Sequence, residues 1–187
     1  MNDLFRRELA AYADAHRDRV NGVMHIIGNP LIFIGVVLPL SLVPVTVHAI
    51  EVSLAPLLTI PALLLWTIWD VGLGLAIVVS SVPLLLIAAA IAQHVSVTAV
   101  WIIAIALFVI GWALQIVGHR IFERNWPSLI DDPLHMLISP MYIFARLFIA
   151  FGLRPDLAVV VQQSSPRTAH DSPPFPGEAG ADVGQHP

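Results

Sequence analysis

Val97-Thr98-Ala99-Val100-Trp101-Ile102-Ile103-Ala104-Ile105-Ala106-Leu107-Phe108-Val109-Ile110-Gly111-Trp112-Ala113-Leu114-Gln115-Ile116-Val117 decides the fold. The run carries no charge, and Gln115 is its one amide. Its length falls within the roughly 17–25 residues that a transmembrane helix needs. Lipid offers the backbone no hydrogen-bond partner, so such a run must be helical to satisfy its own N–H and C=O groups. Immediately beyond it the chain turns polar, through Gly118-His119-Arg120-Ile121-Phe122-Glu123-Arg124.

Apolar runs recur upstream at 71–92, 54–69 and 26–47. Asp70, His48-Ala49-Ile50-Glu51 and Gln93-His94 separate the runs. Joining 54–69 to 71–92 would bury Asp70 in lipid, at about 2.5–3.5 kcal/mol, and would far exceed one crossing. The reading is therefore an all-α, polytopic membrane helical bundle with four spans. Pro30, Pro39 and Pro44 predict kinks in the first of them. The composition agrees, at 57% hydrophobic, 12% charged and mean hydropathy +0.82. Soluble domains run about 45–50% apolar and about 25% charged.

The nine basic residues are all arginine, and none falls between Val20 and His119. An even number of spans with this distribution places both termini on the cytoplasmic side. His16, His25, His119, His135 and Asp70 then share that face, while His48, Glu51 and His94 lie opposite. The absence of lysine and the Ala/Val/Leu-rich composition point to a high-GC bacterium, hence the inner membrane. The first twenty residues are too mixed for a cleavable signal. There is no cysteine, which excludes disulfides, thiolate metal sites and cysteine nucleophiles. No basic stripe suggests nucleic acid.

A helix capped by Asn2 or Asp3 is expected to run to about Val20, with Leu4, Phe5, Leu9 and Tyr12 as a modest apolar stripe. It reads as a membrane-surface helix or a solvated lead-in. After the fourth span, Asn125-Trp126-Pro127 is a stop and Asp131-Asp132-Pro133 a new helix start. Ser139-Pro140 interrupts that helix, and 141–153 reads as an in-plane or re-entrant segment. The division is one membrane-embedded catalytic domain over 1–153 and a polar, disordered tail over 154–187.

Four histidines bracket the oily middle. Gln115, His119 and Glu123 are spaced i, i+4, i+8, so they line one helix face. Asn21 and His25 are also i, i+4, but His16 is half a turn out of phase with His25, so the two converge only if the segment bends, with Gly22 as the candidate hinge. Four imidazoles on one face suit iron, zinc or copper better than magnesium or calcium. His48 and His94 read as loop residues, and His170 and His186 belong to the tail. No HExxH, GxSxG, Walker A or HxxHH pattern is present. A haem- or zinc-binding membrane protein and a non-enzymatic scaffold are the competing readings.

The blocks His16…Asn21…His25-Ile26-Ile27-Gly28-Asn29-Pro30 and Gln115-Ile116-Val117-Gly118-His119…Glu123, followed by Pro127 and His135, resemble the 2-hydroxy-fatty-acid dioxygenase family. The resemblance covers about 1–153. It implies an iron(II) enzyme that uses dioxygen to decarboxylate long-chain 2-hydroxy fatty acids, giving fatty acids one carbon shorter. It further implies His16, His25, His119 and His135 as metal ligands. Glu123, Gln115 and Asn21 become catalytic or supporting residues, with Glu123 open between ligand, base and outer partner. Arg120 or Arg124 is then placed to pair with the substrate carboxylate, and the acyl tail lies between the spans.

Overall fold

The computed structural model describes residues 1–124 and 134–163. The expected stop at 125–127, the helix start at 131–133 and the stretch from 164 onward, with His170 and His186, lie outside the described residues. The described chain is mostly helical: α1 (Asp3–Asp14), α2 (Arg19–Leu40), a hairpin of β1 (Pro44–Val47) and β2 (Ile50–Ser53), α3 (Leu54–Trp69), α4 (Val71–His94), α5 (Val97–Val117), a π-helical turn Gly118–Glu123, α6 (Leu134–Ala150) and α7 (Pro155–Gln163).

Asn2 caps α1, its side-chain oxygen accepting from Leu4 N at 2.8 Å. The helix stops at Asp14 rather than near Val20. Asp18 starts a new one: its Oδ1 accepts from Val20 N at 2.7 Å and Asn21 N at 3.2 Å, the usual role of an aspartate at a helix N-cap. The bend that His16 requires therefore falls at residues 15–18, ahead of Gly22. α2 begins seven residues earlier than the expected span at 26 and ends at Leu40.

α1 packs one face into the bundle and leaves Arg6, Arg7 and Asp14 exposed on the other. Phe5, Leu9, Tyr12 and Ala13 recur at helical spacing and are buried against Trp69, Leu73, Ile138, Met141, Ala145, Leu157 and Val160. Each large apolar side chain so buried is worth about 1.5–3 kcal/mol. Packing of this kind lets tertiary contact fix a short helix whose own propensity is marginal.

The chain passes four times between two ends. α2 leads away from α1 to the hairpin, and α3 returns, so that Trp69 O accepts from Asn2 N at 3.0 Å and its ring stacks on Phe5. α4 leaves again and α5 comes back. Three helices have the length and apolarity to cross a membrane: Arg19–Leu40, Val71–His94 and the continuous Val97–Glu123. α3 and α6 are apolar but shorter. At 16 residues, α3 spans only about 24 Å against a hydrocarbon core of about 30 Å.

Three further elements depart from expectation. The hairpin replaces the far end of the 26–47 run, pairing Val45 with Val52 and Thr46 with Glu51. α6 runs through Pro140 without a break, so Ser139-Pro140 does not interrupt it. Helical structure also continues past Leu153 into α7, where Leu157 and Val160 are buried. Arg154 holds α7 in place: its guanidinium donates to both oxygens of Asp70 at 3.0 and 2.9 Å and to Asp156 at 2.8 and 2.7 Å. Burial alone would raise the Asp70 carboxyl, but hydrogen bonds from Arg154 and Leu73 N and the charge of Arg154 hold it below the usual range. Asp70 also caps α4 through Leu73 N.

Candidate metal centre and acyl cavity

α2 and α5 run antiparallel in close contact, and the close approach rests on glycine. A Cβ on Gly28 would meet Gln115 Nε2 at 2.7 Å and Gly111 O at 3.0 Å, and one on Gly111 would meet Ile32 Cγ1 at 2.7 Å. Toward the α1 end the same seam becomes polar. Gln115 Nε2 donates to Asn29 Oδ1 at 2.9 Å. One turn on, His25 Nε2 and His119 Nε2 stand 3.3 Å apart. One turn further, Asn21 Nδ2 donates to Glu123 Oε1 at 3.0 Å, and the same oxygen accepts from Asp18 N at 2.8 Å. The shared face read from i, i+4, i+8 spacing is thus present, opposite the i, i+4, i+8 series Asn21, His25, Asn29 on α2.

His16 enters this seam from the α1–α2 bend. Its ring stacks on Tyr12 at 3.7 Å between centroids and meets the His25 and His119 rings edge-on at 4.7 and 4.5 Å. Tyr142 anchors the bend, its hydroxyl donating to His16 O at 2.7 Å. One nitrogen from each of His16, His25 and His119 lies within 4.8 Å of the others, and all three residues are buried. Burial, then the nearby His25 and His119, push the His16 imidazole down to about 2, so the ring is neutral at ordinary pH.

The hydrogen bonds test whether these residues fit a metal. His16 Nδ1 lies 2.7 Å from Tyr12 O. A carbonyl only accepts, so Nδ1 carries the proton and Nε2 presents a lone pair. That Nε2 is buried without a partner, an expensive condition for a polar atom. The 3.3 Å between His25 and His119 is close to the roughly 3.4 Å that separates two nitrogens bound tetrahedrally at about 2.0–2.1 Å, as in zinc sites. Three imidazoles with one ring proton anchored by a carbonyl form a standard donor set for a transition metal.

His135 does not join the three. Its ring meets Tyr12 edge-on at 5.6 Å, and its Nε2 is 3.8 Å from Glu8 Oε2. Glu123 is engaged with Asn21 and Asp18 rather than with an imidazole. Arg120 and Arg124 are exposed, and neither is among the residues lining the cavity described next. Asn29, Ser139 and Tyr12 belong to the site but were not singled out from sequence. The i+4 step from His25 to Asn29 was the available signal for the first.

The cluster opens into a cavity of about 660 Å³ enclosed by α2, α3, α4 and α6. His16, His25, His119 and His135 line one end, and Leu40, Leu58 and Leu84 the other. Along α2, the fifteen residue steps from His25 to Leu40 cover about 22 Å. Apart from Thr59, Ser80 and Ser81 the long walls are mainly apolar. Several lining residues face outward between α2 and α6, with Ile26 54% and Met136 55% exposed.

The model of the family described as "2-hydroxy-palmitic acid dioxygenase Mpo1-like" matches residues 3–151. The chain belongs to this family. A 59-residue stretch is 36% identical to "2-hydroxy-palmitic acid dioxygenase MPO1" of Saccharomyces cerevisiae, covering 31% of this chain and 34% of the yeast protein. The matched stretch thus spans about a third of that relative. No solved structure matches the chain. The family match covers α1 through α6, and so every residue of the histidine cluster and the walls of the cavity.

Proposed function

We propose that this chain is a membrane-embedded iron(II) dioxygenase that shortens long-chain 2-hydroxy fatty acids by one carbon. The observation that carries the reading is a buried three-imidazole cluster at the polar end of a long apolar cavity. Family membership supports the substrate class. The overall reaction balances: the 2-hydroxy acid and one O₂ give the acid one carbon shorter, CO₂ and water.

His16, His25 and His119 would hold the metal: His16 Nε2 is buried with no hydrogen-bond partner, and His25 Nε2 and His119 Nε2 stand 3.3 Å from each other. Iron(II) bound there would supply the one-electron chemistry that dioxygen requires and a Lewis acid for the hydroxy acid. The protein's own groups do the rest. The cavity takes the acyl chain, each buried methylene contributing about 0.8 kcal/mol. An ordinary membrane leaflet is about 15 Å of hydrocarbon, so a cavity of about 22 Å has room for a long chain. His135, with Glu8 behind it, faces the substrate head group. Glu123 holds Asn21 and the start of α2, and through them the angle at which His25 meets His119. The outward-facing wall between α2 and α6 gives a lipid substrate a route from the bilayer.

In this reading α3 crosses with the three longer helices, the histidine end faces the cytoplasm as the arginines direct, and the membrane is a bacterial inner membrane. The test is turnover: purified protein, iron(II), oxygen and a long-chain 2-hydroxy acid, with mass spectrometry for the acid one carbon shorter. Formation of that product supports the reading. Its absence from protein carrying stoichiometric iron would overturn it, and a Soret band in the purified protein would favour haem instead.

A further inference from the structure

The ladder between α2 and α5 reaches a third helix at one rung. Asn29, which accepts from Gln115, donates through Nδ2 to Ser139 Oγ on α6 at 2.9 Å. The Ser139 hydroxyl stands 3.4 Å from His25 Nδ1, on the edge of the ring away from His119. The Tyr12 hydroxyl faces the same nitrogen at 3.4 Å and hydrogen-bonds with Ser139. His25 is 6% and Ser139 9% exposed, so this contact is largely closed to water.

A neutral imidazole carries one N–H, and a nitrogen that is to bind a metal must be the bare one. For His16 a backbone carbonyl decides which nitrogen that is. His25 has no carbonyl at Nδ1, only two hydroxyls. Asn29 fills one lone pair of Ser139 Oγ and sets the direction of the other. We propose that Ser139 is a positioning residue: held by Gln115 and Asn29, it accepts the His25 Nδ1 proton and so presents the Nε2 lone pair to the space shared with His16 and His119. This inference rests on the reading of the three histidines as a metal centre.

The test uses full-length protein in detergent, with cobalt(II) as a spectroscopic probe and iron(II) as the second metal. Ser139→Ala is expected to weaken binding about 10–100-fold, the usual cost of losing such an outer partner. Ser139→Thr keeps the hydroxyl and is expected to bind close to the unsubstituted level. In metal-free protein, ¹⁵N NMR of His25 should show the Nδ1–H form diminished in Ser139→Ala and retained in Ser139→Thr. Unchanged affinity and unchanged ¹⁵N shifts in Ser139→Ala would overturn the proposal. Equal losses in both variants would also overturn it, because the hydroxyl would then not be the operative group. Failure of the unsubstituted protein to bind either metal would instead remove the metal centre itself, a result distinct from any difference among the variants.

Discussion

The two halves of the α2–α5 seam are built on opposite principles. Toward the hairpin, contact is dry: Gly28, Gly35 and Gly111 bring the backbones together, with Val37, Leu38, Val100 and Ala104 buried around them. Toward α1, the same two helices meet through Asn29–Gln115, His25–His119 and Asn21–Glu123. Apolar packing tolerates modest changes of shape. Buried polar groups tolerate none without a replacement partner. The dry half therefore sets how closely the helices approach, and the polar half turns that spacing into a defined distance between two imidazoles.

This contrast can be broken most severely at its polar end. His25→Ala and His119→Ala should each abolish stoichiometric metal binding and lower turnover by more than about 100-fold, beyond the 10–100-fold typical of outer partners. Helical content by circular dichroism should survive, because the dry half is intact. If metal content and activity both persisted, the histidines would be incidental. At the far end of the cavity, Leu84→Trp should shift preference toward shorter acids. At about 0.8 kcal/mol per methylene, each displaced methylene costs roughly fourfold, read as kcat/KM across a chain-length series.

Gly111→Val strikes the dry half. It should cost about 1–3 kcal/mol through overpacking and weaken metal binding indirectly, by holding the histidines apart. Thermal unfolding in detergent and a cobalt titration measure the two effects. Arg154→Ala leaves Asp70 buried without its guanidinium, at about 1–3 kcal/mol. Asp70 is held below its ordinary range in the folded protein, so its contribution is present above the unfolded value near 3.8 and is lost as pH falls through the folded one. His16 acts in the same direction. Its folded value near 2 lies below the ordinary 6.5, so the unfolded chain takes up a proton first and stability drops as pH falls below about 6.5. Metal-free protein should therefore unfold at lower temperature at pH 5 than at pH 7, and Arg154→Ala should flatten the part of that slope nearest pH 4. The smallest effect is expected in the hairpin, where His48 and Ala49 both adopt positive φ, 46° and 67°. Ala49→Gly relieves a left-handed residue and should stabilise the protein by up to about 1 kcal/mol, read as a small rise in melting temperature.

What sequence could reveal follows from how local each signal is. The apolar helices at 54–69 and 97–117 were legible because hydropathy is a property of the run itself, and Gln115, His119 and Glu123 because they share a period. The hairpin was hidden by the same reasoning. Val45-Thr46-Val47 and Ile50-Glu51-Val52 carry the alternation and β-branching of strands, but hydropathy merged the first into a span. The place of His16 depended on a cap at Asp18 that periodicity does not register. His135 lines the same end of the cavity as the other histidines yet stands outside the group of three, a relation set by several helices together. The Asp70–Arg154 pair joins residues 84 positions apart, which no local pattern could anticipate.

The π-helical turn at Gly118–Glu123 gives the site an unusual sensitivity to length. Such a turn holds one residue more than the α-helix it interrupts. Deleting a single codon between His119 and Glu123 would let the turn revert to α-helical geometry and would move Glu123 from the fourth to the third position after His119. Glu123 would swing away from Asn21 although no neighbouring side chain had changed. In this segment an indel of one residue is a larger mutation than any substitution, and the spacing between His119 and Glu123 should vary less among functional versions of the chain than the identity of Ile121 or Phe122 between them.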